Sequence, residues 1–595
     1  MSAIHWLNPL SGSFTNAADW SGGKVPGASD DAILDAVGSS FTVTSASSET
    51  VNSIQLAANA TLSITGGTFD ALAGTGAGAN AGVILVGADD TLSLGGVVTN
   101  AGAITLDSPQ TTNNYAALTL AANTTLTGGG VINDAGQINA GAAGATITNL
   151  NNTLLADVET SNGIDSLFAD SPAGTVFVNG KHGVVDSQSL LFVGGQQGLS
   201  IVNHGMIDSS GDMDFTDTSL SGAGQLSVSG FGEMQFAGSG VVSGQSLSVG
   251  AQASLFLAGG GVDYTGAFAN AGIVRLYTTG STPALFLTGV TTLSGGGTVM
   301  FMPESQTVAI GGKSGKDTLI NVDNTITGGG DLGNGQIGIV NDAAGVISGL
   351  QTIDSGSQTI TNAGLILGNG YGAPTIIGSI VNTGTIECIF DQLTIEGAVT
   401  NNGLLSVGAS GGRGDTILTL DGEVFGTGST VIGAGGTLNA DGLFSEYHNH
   451  AFEQSVTFTG GGFLHLAASR EYEGTISGFS TSGGTSLDLG DIAFVSSSQA
   501  TFSGAMSGGV LTVADGKHAA RINLSGDYLS ATFVSVNDGH GGVIVVALPG
   551  PGARPPHAFI AAMAGLGGSA GSAAHHGDAW RGYEPMLAGP RPATV

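Results

Sequence analysis

The sequence predicts an all-β fold: an elongated parallel β-helix, or β-solenoid, with an N-terminal cap and a β-rich C-terminal module. Three observations carry that reading. Asn-x-Gly followed by an aliphatic pair returns at near-constant spacing, at Asn362, Asn382 and Asn401, and far upstream at Asn80 and Asn100. Between these points the chain alternates short Val/Ile/Leu/Thr/Ser runs with Gly, Asn and Asp, the pattern of half-buried strands and turns, and helical periodicity is nearly absent. Strands of 4–6 residues recurring every ~20 residues match one coil of a solenoid, in which each coil buries its apolar face only against its neighbours.

The recurring motif has a local rationale. Glycine adopts positive φ without steric cost and asparagine tolerates the left-handed region, so the pair reads as a corner. Stacked coils then set Asn above Asn, and their side-chain amides hydrogen-bond in a ladder. A longer unit recurs as well: "NTTLTGGGVINDAGQI" from Asn123 returns with an insertion as "NTITGGGDLGNGQIGIVNDAAGVI" from Asn324. Insertions of this kind map to loops, commonly on one face.

Four segments follow. Residues 1–70 hold Trp6, Phe14 and Trp20, an aromatic cluster that caps the first coil against edge-to-edge association. Residues 71–440 are the repeating solenoid. Residues 441–548 lose Asn-x-Gly but stay β-rich. Residues 549–595 open with "LPGPGARPP", a stiff linker, and continue as a low-complexity tail.

Composition limits function. Lys and Arg total 12 against 45 Asp and Glu, a net charge of −33, which repels phosphate backbones and argues against nucleic acid. The same surface attracts hard cations, calcium first among them. The single Cys388 rules out a disulfide framework and a Cys-based zinc site. The start "MSAIHWLNPLSG" lacks the pattern of a Sec signal, and no apolar run reaches the ~18–20 residues of a membrane-spanning helix.

The Asn-x-Gly-x-Ile rungs and Thr-Ile-Thr-Gly-Gly-Gly units resemble the β-strand repeats of bacterial surface proteins, namely filamentous-haemagglutinin-like adhesins and autotransporter passengers. "GTISGFSTSGGTSLDLGDIAF" and "INLSGDYLSATFVSVNDGHGGVIVV" are similar to modules in large alphaproteobacterial repeat proteins. The resemblance implies a secreted or cell-surface protein without catalysis, touching cell-surface glycans or extracellular matrix and capable of self-association. It departs from those families in carrying neither a C-terminal outer-membrane barrel nor an N-terminal export signal. An acidic, Gly-rich, nearly Cys-free chain then resembles a type I secretion substrate, with residues 549–595 as its export address.

Several clusters are candidates for chemistry. "GGKSGKDTLI" and "GGRGDTILTL" approach the calcium-binding nonapeptide, with Asp317 and Asp415 as ligands. The first is one residue too long, the second one too short, and both stand alone, so ordinary turn chemistry competes. Arg413-Gly414-Asp415 is also the tripeptide that integrins recognise. In "SEYHNHAFEQ", Glu446, His448 and His450 project from one face of a strand, a two-His-one-carboxylate metal set. The competing reading is a polar boundary loop. In "MIDSSGDMDFTD", Asp212 and Asp214 share a face with Asp208 and Asp217 nearby, a pairing suited to glycoside hydrolysis. This supports an alternative function, a carbohydrate-active β-helix enzyme. "NDGHGG" at Asn537 reads as a hairpin turn.

Overall fold

The computed structural model describes residues 2–550 apart from 108–114, 135, 157–164, 195–197, 239, 259–261, 278–284, 303–308, 370–372, 391, 409–415 and 442–451. The chain winds as a parallel β-solenoid of about 18 turns, 57% strand and 2% helix. Each coil presents three walls. One coil runs Ala103–Leu106 (first wall), Ala117–Leu120 (second) and Thr125–Thr127 (third). The next coil follows as Val131–Asp134, Gln137–Ala140 and Thr146–Asn149, each strand parallel to the one beneath.

Strand alternation decides which side chains enter the core, because successive residues point to opposite faces. In Ala117–Leu120 the buried residues are Leu118 and Leu120, stacked on Ile138 and Ala140 of the next coil. The apolar core is therefore a continuous column running the length of the stack.

The polar corners form two buried amide ladders. In the first, Asn80 Nδ2 donates to Asn100 Oδ1 at 2.8 Å and Asn100 to Asn152 at 3.1 Å. Asn149 and Asn152 clasp each other through backbone and side chain, and Asn149 passes the ladder to Asn179, Asn203 and Gln245. The second starts at Asn270, crosses the Asn324–Asn321 clasp, and continues through Asn341, Asn362, Asn382 and Asn401 to Gln454. The first ladder occupies the corner between third and first walls. The second occupies the corner between first and second walls. Asn100, for example, precedes the first-wall strand Ala103–Leu106, whereas Asn382 precedes the second-wall strand Thr385–Cys388.

The reason for glycine in Asn-x-Gly differs from the sequence expectation. Gly364, Gly384 and Gly403 do not have positive φ, and neither do the ladder asparagines. Glycine is required by coil stacking: a Cβ at these three positions would lie 2.1–2.2 Å from the carbonyl oxygen of the equivalent glycine one coil below. The motif is a close-approach site rather than a left-handed corner. Positive φ appears instead at other corner glycines, such as Gly295 and Gly426 between first and second walls, and Gly378, where the strand Thr375–Asn382 bends from third wall to first.

Both ends are covered. Trp20 stacks edge-on against Trp6 (5.0 Å) and Phe14 (5.1 Å), and Phe14 reaches Phe69 (5.3 Å). Trp20 Nε1 donates to Phe14 O at 2.7 Å, satisfying the one polar atom of a buried indole. At the far end the parallel pattern stops. Ala519–Ser525 closes the second wall as part of an antiparallel Ala500–Ala505, Gly508–Ala514, Ala519–Ser525 meander. Val543–Pro549 runs antiparallel to both Thr485–Leu489 and Ala531–Asn537. Reversing strand direction ends the stack without leaving a long parallel edge open for another chain.

Candidate functional site

The sequence motif around Asp212 falls on the outer face of the second wall. Asp212–Thr216 lies between Leu190–Val193 and Glu233–Ala237, followed by Ser254–Ala258 and Ile273–Tyr277. Met213 and Phe215 are buried, so Asp212 and Asp214 point outward. Register places Leu190, Asp212, Glu233, Ser254 and Ile273 in one row and Phe192, Asp214, Gln235, Phe256 and Arg275 in the next.

Three carboxylates thus share one patch. Partial burial pushes Asp214 above its usual range and Asp212 adds repulsion. Glu233 is raised by burial, then by Asp212 and Asp214, against a smaller opposing pull from Arg275. Arg275 donates to Ser254 Oγ at 2.8 Å and sits 4.9 Å from the Phe256 ring centre. Phe256 and Tyr277 stack in parallel at 5.9 Å. Burial and mutual repulsion favour the protonated form of Asp214 and Glu233, and a carboxyl group in that form can both accept and donate hydrogen bonds to hydroxyl-rich ligands.

Asp208 and Asp217 are not in this patch. Asp208 stands on the first wall and accepts from Ser229 Oγ at 3.2 Å, while Asp217 has positive φ at a turn. Sequence reasoning missed Glu233 and Arg275. Their signal was the coil offset, since Glu233 stands directly above Asp212 one turn on.

The other candidates divide between placed and outside the description. Glu446, His448, His450 and Asp415 lie outside the described residues, as does Arg413-Gly414-Asp415. Asp317 is buried at the start of Asp317–Asn321. Its carboxylate accepts backbone N–H groups from Gly289 (2.7 Å), Lys313 (2.7 Å) and Ser314 (2.9 Å). Burial raises its pKa, but these donors outweigh burial and hold it below the usual carboxylate range. Asp317 therefore organises the Lys313–Asp317 turn. Among the described residues no three His, Cys, Asp or Glu side chains converge on a metal-sized point. Cys388 is buried, its Sγ donating to Ile417 O at 3.4 Å. Gly539-His540-Gly541 is the turn of a hairpin, as expected, with Asp538 Oδ1 accepting the N–H groups of His540, Gly541 and Gly542.

A second titratable cluster lies near the C-terminal end. His465 Nδ1 meets Asp488 Oδ2 at 2.7 Å and its Nε2 meets Asp441 Oδ1 at 3.3 Å. The two carboxylates bind opposite ring nitrogens, so they cannot share a metal ion with it. The alternation of "FLHL" points His465 outward, but nothing in the sequence marks Asp441 and Asp488 as its neighbours.

The fold and these walls define a three-walled parallel β-solenoid with capped ends. No family model matches the chain, and neither a curated protein nor a solved structure is significantly similar to it.

Proposed function

We propose that this chain is a non-catalytic extracellular or cell-surface rod of the structural or adhesin-like type, contacting glycans or matrix through its walls. The observation that carries the reading is the pair of buried amide ladders. They devote the polar interior to holding successive coils in register, which serves length and rigidity rather than a reaction centre. The acidic surface supports a solvated, repulsive rod that interacts weakly with calcium and other hard cations. Residues 549–595 would serve as a type I secretion address. The test is fractionation of a producing cell: the reading requires the chain in the medium or on intact cells, and purely cytoplasmic chain overturns it.

A second reading is favoured by the second-wall patch. Asp214 and Glu233, raised in pKa on the wall that also carries Phe256 and Tyr277, have the ingredients of a carbohydrate-active site. Release of reducing sugar from a polysaccharide, abolished by Glu233→Gln and by Asp214→Asn, would establish it. Glycan binding without turnover, lost in Phe256→Ala, would support the adhesin-like reading.

A further inference from the structure

His465 sits where the solenoid changes from parallel to antiparallel. It projects from the third-wall strand Gly462–Leu466, in register with Asn439 on one side and Asp488 on the other. Asp488 in turn stands opposite Ile544 of the closing strand Val543–Pro549. The turn of the closing hairpin packs on the same spot. A Cβ at Gly542 would lie 2.9 Å from Leu489 O, and one at Gly490 would lie 3.1 Å from His465 Cε1.

The charges around the ring are lopsided. Asp488 (11% exposed) and Asp441 (42%) touch it, Asp538 approaches from the hairpin turn, and Asp421 adds to the field at Asp441. Three carboxylates from three segments act on one imidazole, itself 22% exposed. An imidazolium donates to both carboxylate partners at once, whereas a neutral ring has a single N–H and must leave one carboxylate unserved. The hydrogen bond to Asp488 raises the pKa of His465, burial opposes it, and the fields of Asp488, Asp441 and Asp538 add to the rise.

We infer that protonated His465 latches the closing hairpin, Ala531–Asn537 with Val543–Pro549, onto the last parallel coils, and that the latch loosens as the solution turns alkaline. The sign follows from linkage. A His raised above its unfolded value near 6.5 contributes stability that is complete below that value and disappears as pH rises through the folded pKa. Deprotonation leaves Asp441, Asp488 and Asp538 without their shared cation. The strand that leads directly into residues 551–595 is the one released. The inference does not depend on where the protein resides.

Hydrogen exchange of the full chain, corrected for intrinsic pH dependence, tests it. From about pH 6 to about pH 9 the protection of 531–549 should fall roughly tenfold or more, the worth of a charged hydrogen bond, while 375–407 stays flat. In His465→Gln the segment should sit at its alkaline level at both pH values. In Asp441→Asn, a milder change at a half-exposed site, the transition should move to lower pH. A wild-type profile that is flat, or shared with 375–407, overturns the latch. So does an unshifted transition in Asp441→Asn, which decides the matter even if His465→Gln fails to fold.

Discussion

The phenolic hydroxyl of Tyr472 donates to the backbone carbonyl of Gln454 at 3.1 Å, at the point where the second amide ladder ends. Tyr264 stands at the matching place where the first ladder ends, its hydroxyl 3.3 Å from the Gln245 carbonyl and 2.5 Å from that of Ala267. Both tyrosines are buried, and each lies against a phenylalanine, Phe268 for Tyr264 and Phe452 for Tyr472. Each ladder also begins with an asparagine, Asn80 or Asn270, whose Oδ1 has no partner among the described residues. The rod therefore contains two successive ladders of one design, each closed by Gln followed by Tyr. An amide column must stop somewhere, and an aromatic ring with a single hydroxyl fills the corner while satisfying a buried carbonyl.

Removing a rung should cost more than removing its terminus. Asn362→Ala removes the side-chain acceptor of Asn341 and the amide that donates to Asn382 Oδ1 and to the carbonyl of Thr385 in the core. The expected loss is about 2–4 kcal/mol, against about 1 kcal/mol for Tyr472→Phe, which deletes one neutral hydrogen bond. Because solenoids unfold by neighbouring coils, the measurement is hydrogen exchange across 341–401. Equal effects of the two variants would argue against the ladder as the main register device.

Burial pushes the phenols of Tyr264 and Tyr472 well above the usual tyrosine range. The native chain then holds protons that the unfolded chain loses near pH 10, so stability falls as pH rises past that point. Ultraviolet titration should show these two phenols ionising only with unfolding. Ionisation of all eight tyrosines while the β circular dichroism signal persists would contradict their placement.

Asp317→Ala should destabilise the coil without any cation present, by about 2–3 kcal/mol, because three backbone donors lose a charged acceptor. The wild-type contribution is complete above the ordinary Asp value and disappears as pH falls through its lowered native one. Melting curves with and without millimolar calcium should show the same deficit. A deficit confined to calcium-containing buffer would instead make Asp317 a ligand.

Glu233→Gln should raise the melting temperature slightly at neutral pH by removing one of three crowded carboxylates, an effect reduced by solvent screening. A lowered melting temperature would mean that the attraction of Arg275 outweighs the repulsion.

About 18 turns at ~4.8 Å per turn stack to about 90 Å, so small-angle scattering of a chain ending at Gly550 should give a rod of that length. Ending the chain there spares the strand Val543–Pro549, so its melting temperature should match the full chain, while export should fail if the tail is the secretion address. A compact globule would contradict the coil count.

The sequence by itself determined the class of fold. Its Asn-x-Gly period is the coil length, and the alternation in segments such as "ALTL" at 117–120 is the difference between core and wall. It also made the amide ladder foreseeable, because identical side chains at equal spacing must stack once the chain coils. Only the tertiary structure decided why the motif needs glycine, since the clash at Gly384 involves Gly364, a residue one coil away. It alone set Glu233 above Asp212, moved Asp208 to another wall, and enclosed His465 between Asp441 and Asp488. The physical reason is common to all of these. A repeat fixes what each coil does by itself, whereas a site on a solenoid wall is made across coils, and the register between coils depends on every corner and insertion in the intervening chain.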